Sequence, residues 1–190
     1  MQPALKSGLT MIEEDEAPPE IAHMYAEVKR DLQVPIVPNA WKALAISPAA
    51  LATDWALTRT FSQHTTLPES LVSMIRYTIA EVGNCRYCSA GNEFLCRRLG
   101  VDEETLSALV EDLDRVSPRR VRVIIEFALK VAHHPQSLVA EDYQRVRDQG
   151  VTDEELVEII FVAAMARYAD TLADALKIEV DPMVAEALGR

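Results

Sequence analysis

Apolar side chains recur three and four residues apart along nearly the whole chain. Nowhere do they keep the two-residue alternation, bounded by turns, that a half-buried strand requires. This one pattern confines the chain to an all-α fold. Pro18-Pro19 opens a segment with Ile21, Met24, Tyr25, Val28 and Leu32 at helical spacing; proline is tolerated in a first helical turn. Val34-Pro-Ile-Val-Pro38 breaks that helix into an extended connection. Short helices are expected around Trp41–Ile46 and from Pro48 to about Gln63, and another from Pro68-Glu69 carrying Leu71, Ile75, Ile79 and Ala80. Gly83-Asn84 interrupts it, with Asn84 expected to cap a new helix that begins at Cys85 and ends at Gly100.

The second half repeats a phrase. Gly100-Val-Asp-Glu-Glu104 and Gly150-Val-Thr-Asp-Glu-Glu155 each pair a glycine stop with an acidic helix start. Asp102 caps one helix, and Thr152 with Glu155 fits a capping box for the other. Leu106, Leu109, Val110 and Leu113 follow in the first, and Leu156, Ile159, Ile160 and Ala163 in the second. A helix from Pro118 to about His133 lies between them. The reading is a single domain over 1–190, with an N-terminal arm and helix (1–37), a unit holding the cysteines (38–116) and a C-terminal helical unit (117–190). The repeated phrase suggests that the last two are related.

Charge narrows the function classes. The net charge is −11, and arginines gather only in short groups such as Arg97-Arg98 and Arg119-Arg120. Phosphate contacts supply most nucleic-acid affinity, so no nucleic-acid partner is expected. No apolar run is long enough to span a bilayer, and the first residues lack the basic-then-apolar form of a leader. A cytoplasmic protein with no membrane partner is the expectation.

Three cysteines, Cys85, Cys88 and Cys96, crowd one short stretch. An odd, clustered set is no secreted disulfide framework, and C-x-x-C in a reducing compartment reads first as redox or metal chemistry. Two cysteines one helical turn apart share a side of the helix. A helix start offers free N–H groups and a positive dipole end, both of which lower a thiol pKa, and Arg86 adds positive charge. A closed zinc site needs four ligands, and beyond the pair only Cys96, His64 and the distant His133-His134 remain. No metal or cofactor is expected, and Cys96 reads as core packing.

The run Asn84-Cys-Arg-Tyr-Cys88, preceded by Leu67-Pro-Glu-Ser-Leu-Val-Ser-Met-Ile-Arg-Tyr-Thr-Ile-Ala80 and followed by Leu99-Gly-Val101, resembles the alkyl hydroperoxidase D-like / carboxymuconolactone decarboxylase family, most of all its peroxidase-related branch. The later stretch from Phe127 through Pro135, Asp142-Tyr143 and Gly150 to Leu156 is similar to the same branch. The resemblance covers the chain from about Trp41 onward. It implies a helical bundle, a homo-oligomer (trimer or hexamer) and thiol-based reduction of a hydroperoxide substrate at the expense of an external thiol reductant. It implies that Cys88 attacks the peroxide and Cys85 closes the disulfide. The family's glutamate twelve residues before the first cysteine falls on Ser73, and its histidine four residues after the second falls on Asn92. Neither side chain can take up or give up a proton near neutral pH. Glu81, four residues before Cys85, is the substitute expected to relay the proton, with Asn92 tuning the site. Two other readings stand beside the peroxidase: a redox-incompetent oligomeric scaffold that binds a small ligand or protein, and a carboxymuconolactone decarboxylase-type lyase.

Overall fold

The computed structural model describes residues 5–190, so the leader reading of the first residues rests partly on positions outside the described ones. Ten α-helices account for most of them: α1 (Pro19–Leu32), α2 (Asn39–Leu44), α3 (Pro48–His64), α4 (Glu69–Gly83), α5 (Arg86–Arg98), α6 (Glu103–Glu111), α7 (Arg119–His133), α8 (Ala140–Arg147), α9 (Asp153–Leu176) and α10 (Pro182–Ala187). No β-strand forms among the described residues. The all-α reading therefore holds. No helix among them is long and apolar enough to cross a membrane.

The chain divides into two compact units. One runs through Thr65 and takes in Ala173–Asp181; the other is Thr66–Leu172 with Pro182–Arg190. In the first, α1 and α2 pack on α3 around Ile21, Val28, Val37 and Leu51, all buried. Trp41 and Trp55 meet edge to face with ring centroids 5.8 Å apart. In the second, α4 is the central helix: it packs on α5, α6 and α7, and α10 closes on α5. Its apolar residues Ile75 and Ile79 join Leu109, Ile124, Ile125 and Ile159 in a solvent-free core. Burying a side chain of this size contributes roughly 1.5–3 kcal/mol.

The two expected acidic helix starts are present. Asp102 Oδ1 accepts from the Thr105 amide at 2.7 Å. At α9, the Thr152 amide donates to Glu155 Oε2 at 2.8 Å and the Glu155 amide to Thr152 Oγ1 at 3.1 Å. The Thr152 amide and the Arg120 guanidinium hold the Glu155 carboxyl below its ordinary range.

The helix stops share a grammar. A residue at positive φ ends each of five helices: Gln33 (φ 55°), Asn84 (φ 57°), Gly100 (φ 82°), Lys177 (φ 58°) and Gly189 (φ 67°). The amide of the next residue then reaches back five residues: Val34 to the Lys29 carbonyl at 3.1 Å, Cys85 to Ala80 at 3.0 Å, Val101 to Cys96 at 3.0 Å, Ile178 to Ala173 at 3.0 Å and Arg190 to Ala185 at 2.9 Å. This is the Schellman closure, in which the residue after the left-handed one is characteristically apolar. Asn84 is thus the stop of α4. The expectation that it caps α5 is corrected by one position: Cys85 is the N-cap, with extended φ and ψ, and α5 starts at Arg86.

Candidate functional site

Cys85 belongs to two helices at once. Its amide closes α4 through Ala80, and its carbonyl accepts the first α5 bond, from the Ser89 amide at 2.9 Å. With both backbone groups committed, Sγ is held at the α4–α5 junction. Cys88 follows one turn into α5 on the same side, as its spacing requires. Both are free thiols; Cys85 is fully buried and Cys88 is 9% exposed.

The third member of the site comes from α9. The Asp170 carboxylate and the two sulfurs all lie within 4.8 Å of one another. Cys85 Sγ also donates a long hydrogen bond, 3.9 Å, to the Asp170 backbone carbonyl. Asp170 is only 3% exposed. Behind it, Arg167 Nη1 lies 3.4 Å from Asp170 Oδ2. A β-carbon on Gly83 would stand 2.9 Å from that Nη1 and 3.2 Å from that Oδ2. The pair therefore fits against the end of α4 because residue 83 has no side chain. Arg167 also acts on His133, the last residue of α7. Burial first, then the Arg167 and His134 charges, lowers the His133 pKa below its ordinary value.

The electrostatics reverse one expectation. A helix start with Arg86 nearby predicts a lowered thiol pKa. The Cys88 thiol is instead pushed strongly up, by its hydrogen bond with Cys85, then by burial, then by the negative charges of Cys85 and Asp170. Arg86 is exposed to solvent. Negative charge beside a buried thiol disfavours its ionised form, so Cys88 holds its proton firmly.

The structure brings together Cys85 and Cys88 but not every residue singled out from the sequence. Asn92 is buried on α5, and its Nδ2 donates to the Cys88 carbonyl at 2.7 Å, steadying the turn that carries the thiol. Glu81 sits half-buried in the last turn of α4 and is not a member of the thiol–carboxylate cluster. Its charge acts on Tyr77, whose phenol is pushed up to about 12 by burial first and then by Glu81 and Glu93. Ser73 is buried on α4. Cys96 is buried on α5 outside the cluster, its thiol pushed up to about 12 by burial and then by Glu93. His64 ends α3 in the other unit, exposed. Asp170 escaped the sequence reading, although a signal existed: it falls on the α9 stripe of Ile159, Val162, Ala163 and Ala166, all buried. An acid in register with a buried stripe is seldom there for solubility.

No protein-family model matches the chain, and no curated protein matches it in sequence. Solved structures do. The chain is similar to the alkylhydroperoxidase AhpD core of an uncharacterized peroxidase-related protein from Ralstonia eutropha JMP134, with a TM-score of 0.84 at 20% identity over 97% of this chain and 96% of that one. It is similar to an uncharacterized peroxidase-related protein from Silicibacter sp. TM1040, with a TM-score of 0.81 at 21% identity over 95% and 93%. It is also similar to the debrominase Bmp8, with a TM-score of 0.78 at 16% identity over 94% and 95%. A cysteine-to-alanine variant of Bmp8 holding 2,3,4-tribromopyrrole gives 0.79 at 15% over 94% of each chain. The fold of this chain is thus the alkyl hydroperoxidase D-like helical fold.

Proposed function

We propose that this chain is a thiol-dependent peroxidase of the alkyl hydroperoxidase D-like family, in which Cys88 attacks a hydroperoxide, Cys85 resolves the product and Asp170 carries the proton. The observation that supports this reading is the cluster itself: two sulfurs and a carboxylate within 4.8 Å, largely shielded from water. Cys88 is taken as the attacker on the resemblance, and it is the less deeply buried of the two cysteines. Its raised pKa means that the proton must leave as the S–O bond forms, and the Asp170 carboxylate is placed to take it. Sulfur bonds to one peroxide oxygen, the O–O bond breaks, and Asp170 returns the proton to the departing alkoxide. Cys88 sulfenic acid and one alcohol result. The Cys85 thiol then attacks the sulfenic sulfur and expels water, leaving a Cys85–Cys88 disulfide that an external dithiol reduces. Glu81 and Asn92 tune the site from outside the cluster. The antioxidant role and the homo-oligomeric assembly implied by the resemblance belong to the same proposal.

Anaerobically reduced protein treated with one equivalent of cumene hydroperoxide tests it. Two thiols should disappear, with a two-proton mass loss on the peptide holding both Cys85 and Cys88. Unchanged thiols, or a disulfide to Cys96, would remove the proposal. The Bmp8 likeness supports a second substrate class for the same dithiol. A bromopyrrole assayed in parallel, with bromide release as readout, separates the two: bromide released while peroxides are spared would make this chain a dehalogenase.

A further inference from the structure

We propose that the reduced Cys85–Cys88–Asp170 cluster is a binding site for one thiophilic divalent cation of the zinc class, and that this cation caps the thiols against oxidation. Two thiolates and one carboxylate form a donor set suited to zinc, and three protein ligands with an open fourth position make a recognised coordination pattern. The geometry is close to what an ion needs. Zinc–sulfur bonds of about 2.3 Å at tetrahedral angles put two sulfurs about 3.8 Å apart, and the donor atoms already lie within 4.8 Å of one another.

Charge points the same way, independently of distance. Fully deprotonated, the cluster carries three negative charges in a buried site, and the guanidinium on it is Arg167 at 3.4 Å from Asp170. A divalent cation offsets two of those negative charges. Binding releases two protons to solvent, one from each thiol, and changes no oxidation state. A sulfur already bonded to the ion has its donor lone pair committed there, so capping and disulfide formation exclude each other. Local spacing reveals two of these ligands at most; the third stands 82 residues beyond Cys88 and is visible only in the fold.

Metal capture needs reduced thiols but not peroxidase turnover, so its test uses no peroxide. Anaerobically reduced full-length protein is titrated with Co2+ as the spectroscopic probe. One equivalent should give intense sulfur-to-cobalt charge-transfer absorption with tetrahedral d–d bands, which Zn2+ then bleaches. Zn2+ should also protect two of the three thiols from a disulfide reagent. C85S and C88S should lose the charge-transfer band and C96A should keep it, each with unchanged far-UV circular dichroism. D170N should weaken Co2+ at least ten- to a hundredfold, the scale seen for losing even indirect support of a metal site. A pale octahedral spectrum without charge transfer, loss of the band in C96A, or equal affinity in D170N would each overturn the assignment. Failure of peroxide turnover alone, with the cobalt spectrum intact, would remove the peroxidase reading and leave this one standing.

Discussion

Two acids are buried in the same helical unit, and they are treated in opposite ways. Glu93, on α5, is 5% exposed and gripped on both oxygens: Arg97 donates to Oε1 from Nε at 3.1 Å and Nη2 at 2.9 Å, and Arg190 Nη2 donates to Oε2 at 2.7 Å. Asp170 is buried as deeply, but its guanidinium neighbour stands off at 3.4 Å and two sulfurs face it. A carboxylate held on both oxygens by guanidinium donors ties elements together. A carboxylate packed against thiols raises their proton affinity and is available to move the proton. Burial alone thus does not distinguish structure from chemistry. The partners do.

The largest effect that would sharpen this contrast is expected of Asp170→Asn. It preserves size and removes the proton acceptor, so peroxide turnover should fall by about a hundred- to ten-thousandfold, the range for one acid–base group. Near-normal steady-state rates in the D170N enzyme would end the chemical role given to this acid. Next comes Gly83→Ala, which touches neither sulfur. Its methyl crowds Arg167 Nη1 and Asp170 Oδ2, which must give way by a few tenths of an ångström, and misplacing a reacting group lowers the rate steeply. Turnover should drop at least tenfold with circular dichroism unchanged; an unaltered rate would mean that the seating of the pair does not matter.

Glu81→Gln is expected to lower turnover only a few-fold, because Asp170 rather than Glu81 stands against the thiols. A loss larger than that of Asp170→Asn would reverse the two roles. The smallest catalytic change is expected of Glu93→Gln, whose consequence falls on stability. Losing charge-assisted bonds to half-exposed arginines should cost about 1–3 kcal/mol in a denaturant melt, with turnover per folded molecule unaffected. A catalytic defect there, at full stability, would break the distinction between the two acids.

What the sequence made legible follows the range of the interaction. Helix identity came from spacings of three and four residues. The stops came from Asn84 and Gly100 and the starts from Asp102 and Thr152, all settled within one helical turn. The dithiol was equally local, since Cys85 and Cys88 share a turn. Asp170 was not legible, because nothing near it in sequence touches a cysteine and α9 is apolar around most of its circumference, which blurs the stripe that would have set the acid apart. The direction of the Cys88 shift was misjudged for the same reason: the dipole and Arg86 are local, while Asp170 and burial arrive only with the tertiary fold. Glu81 lies four residues before Cys85, yet closeness in sequence is not closeness in space.

The Schellman closure at Cys85 joins the chemistry to backbone dynamics. At three other stops the position after the left-handed residue holds Val34, Val101 or Ile178, each serving as an apolar plug. At α4 a cysteine fills that slot, which its small apolar side chain suits. A Cys85–Cys88 disulfide would put a new restraint on the residue whose amide closes α4, and the amides of Asn84 and Cys85 lie at that closure. Amide hydrogen exchange at those two residues should therefore follow the oxidation state of the dithiol, making the end of α4 a built-in reporter that a partner or reductant could read without contacting either sulfur.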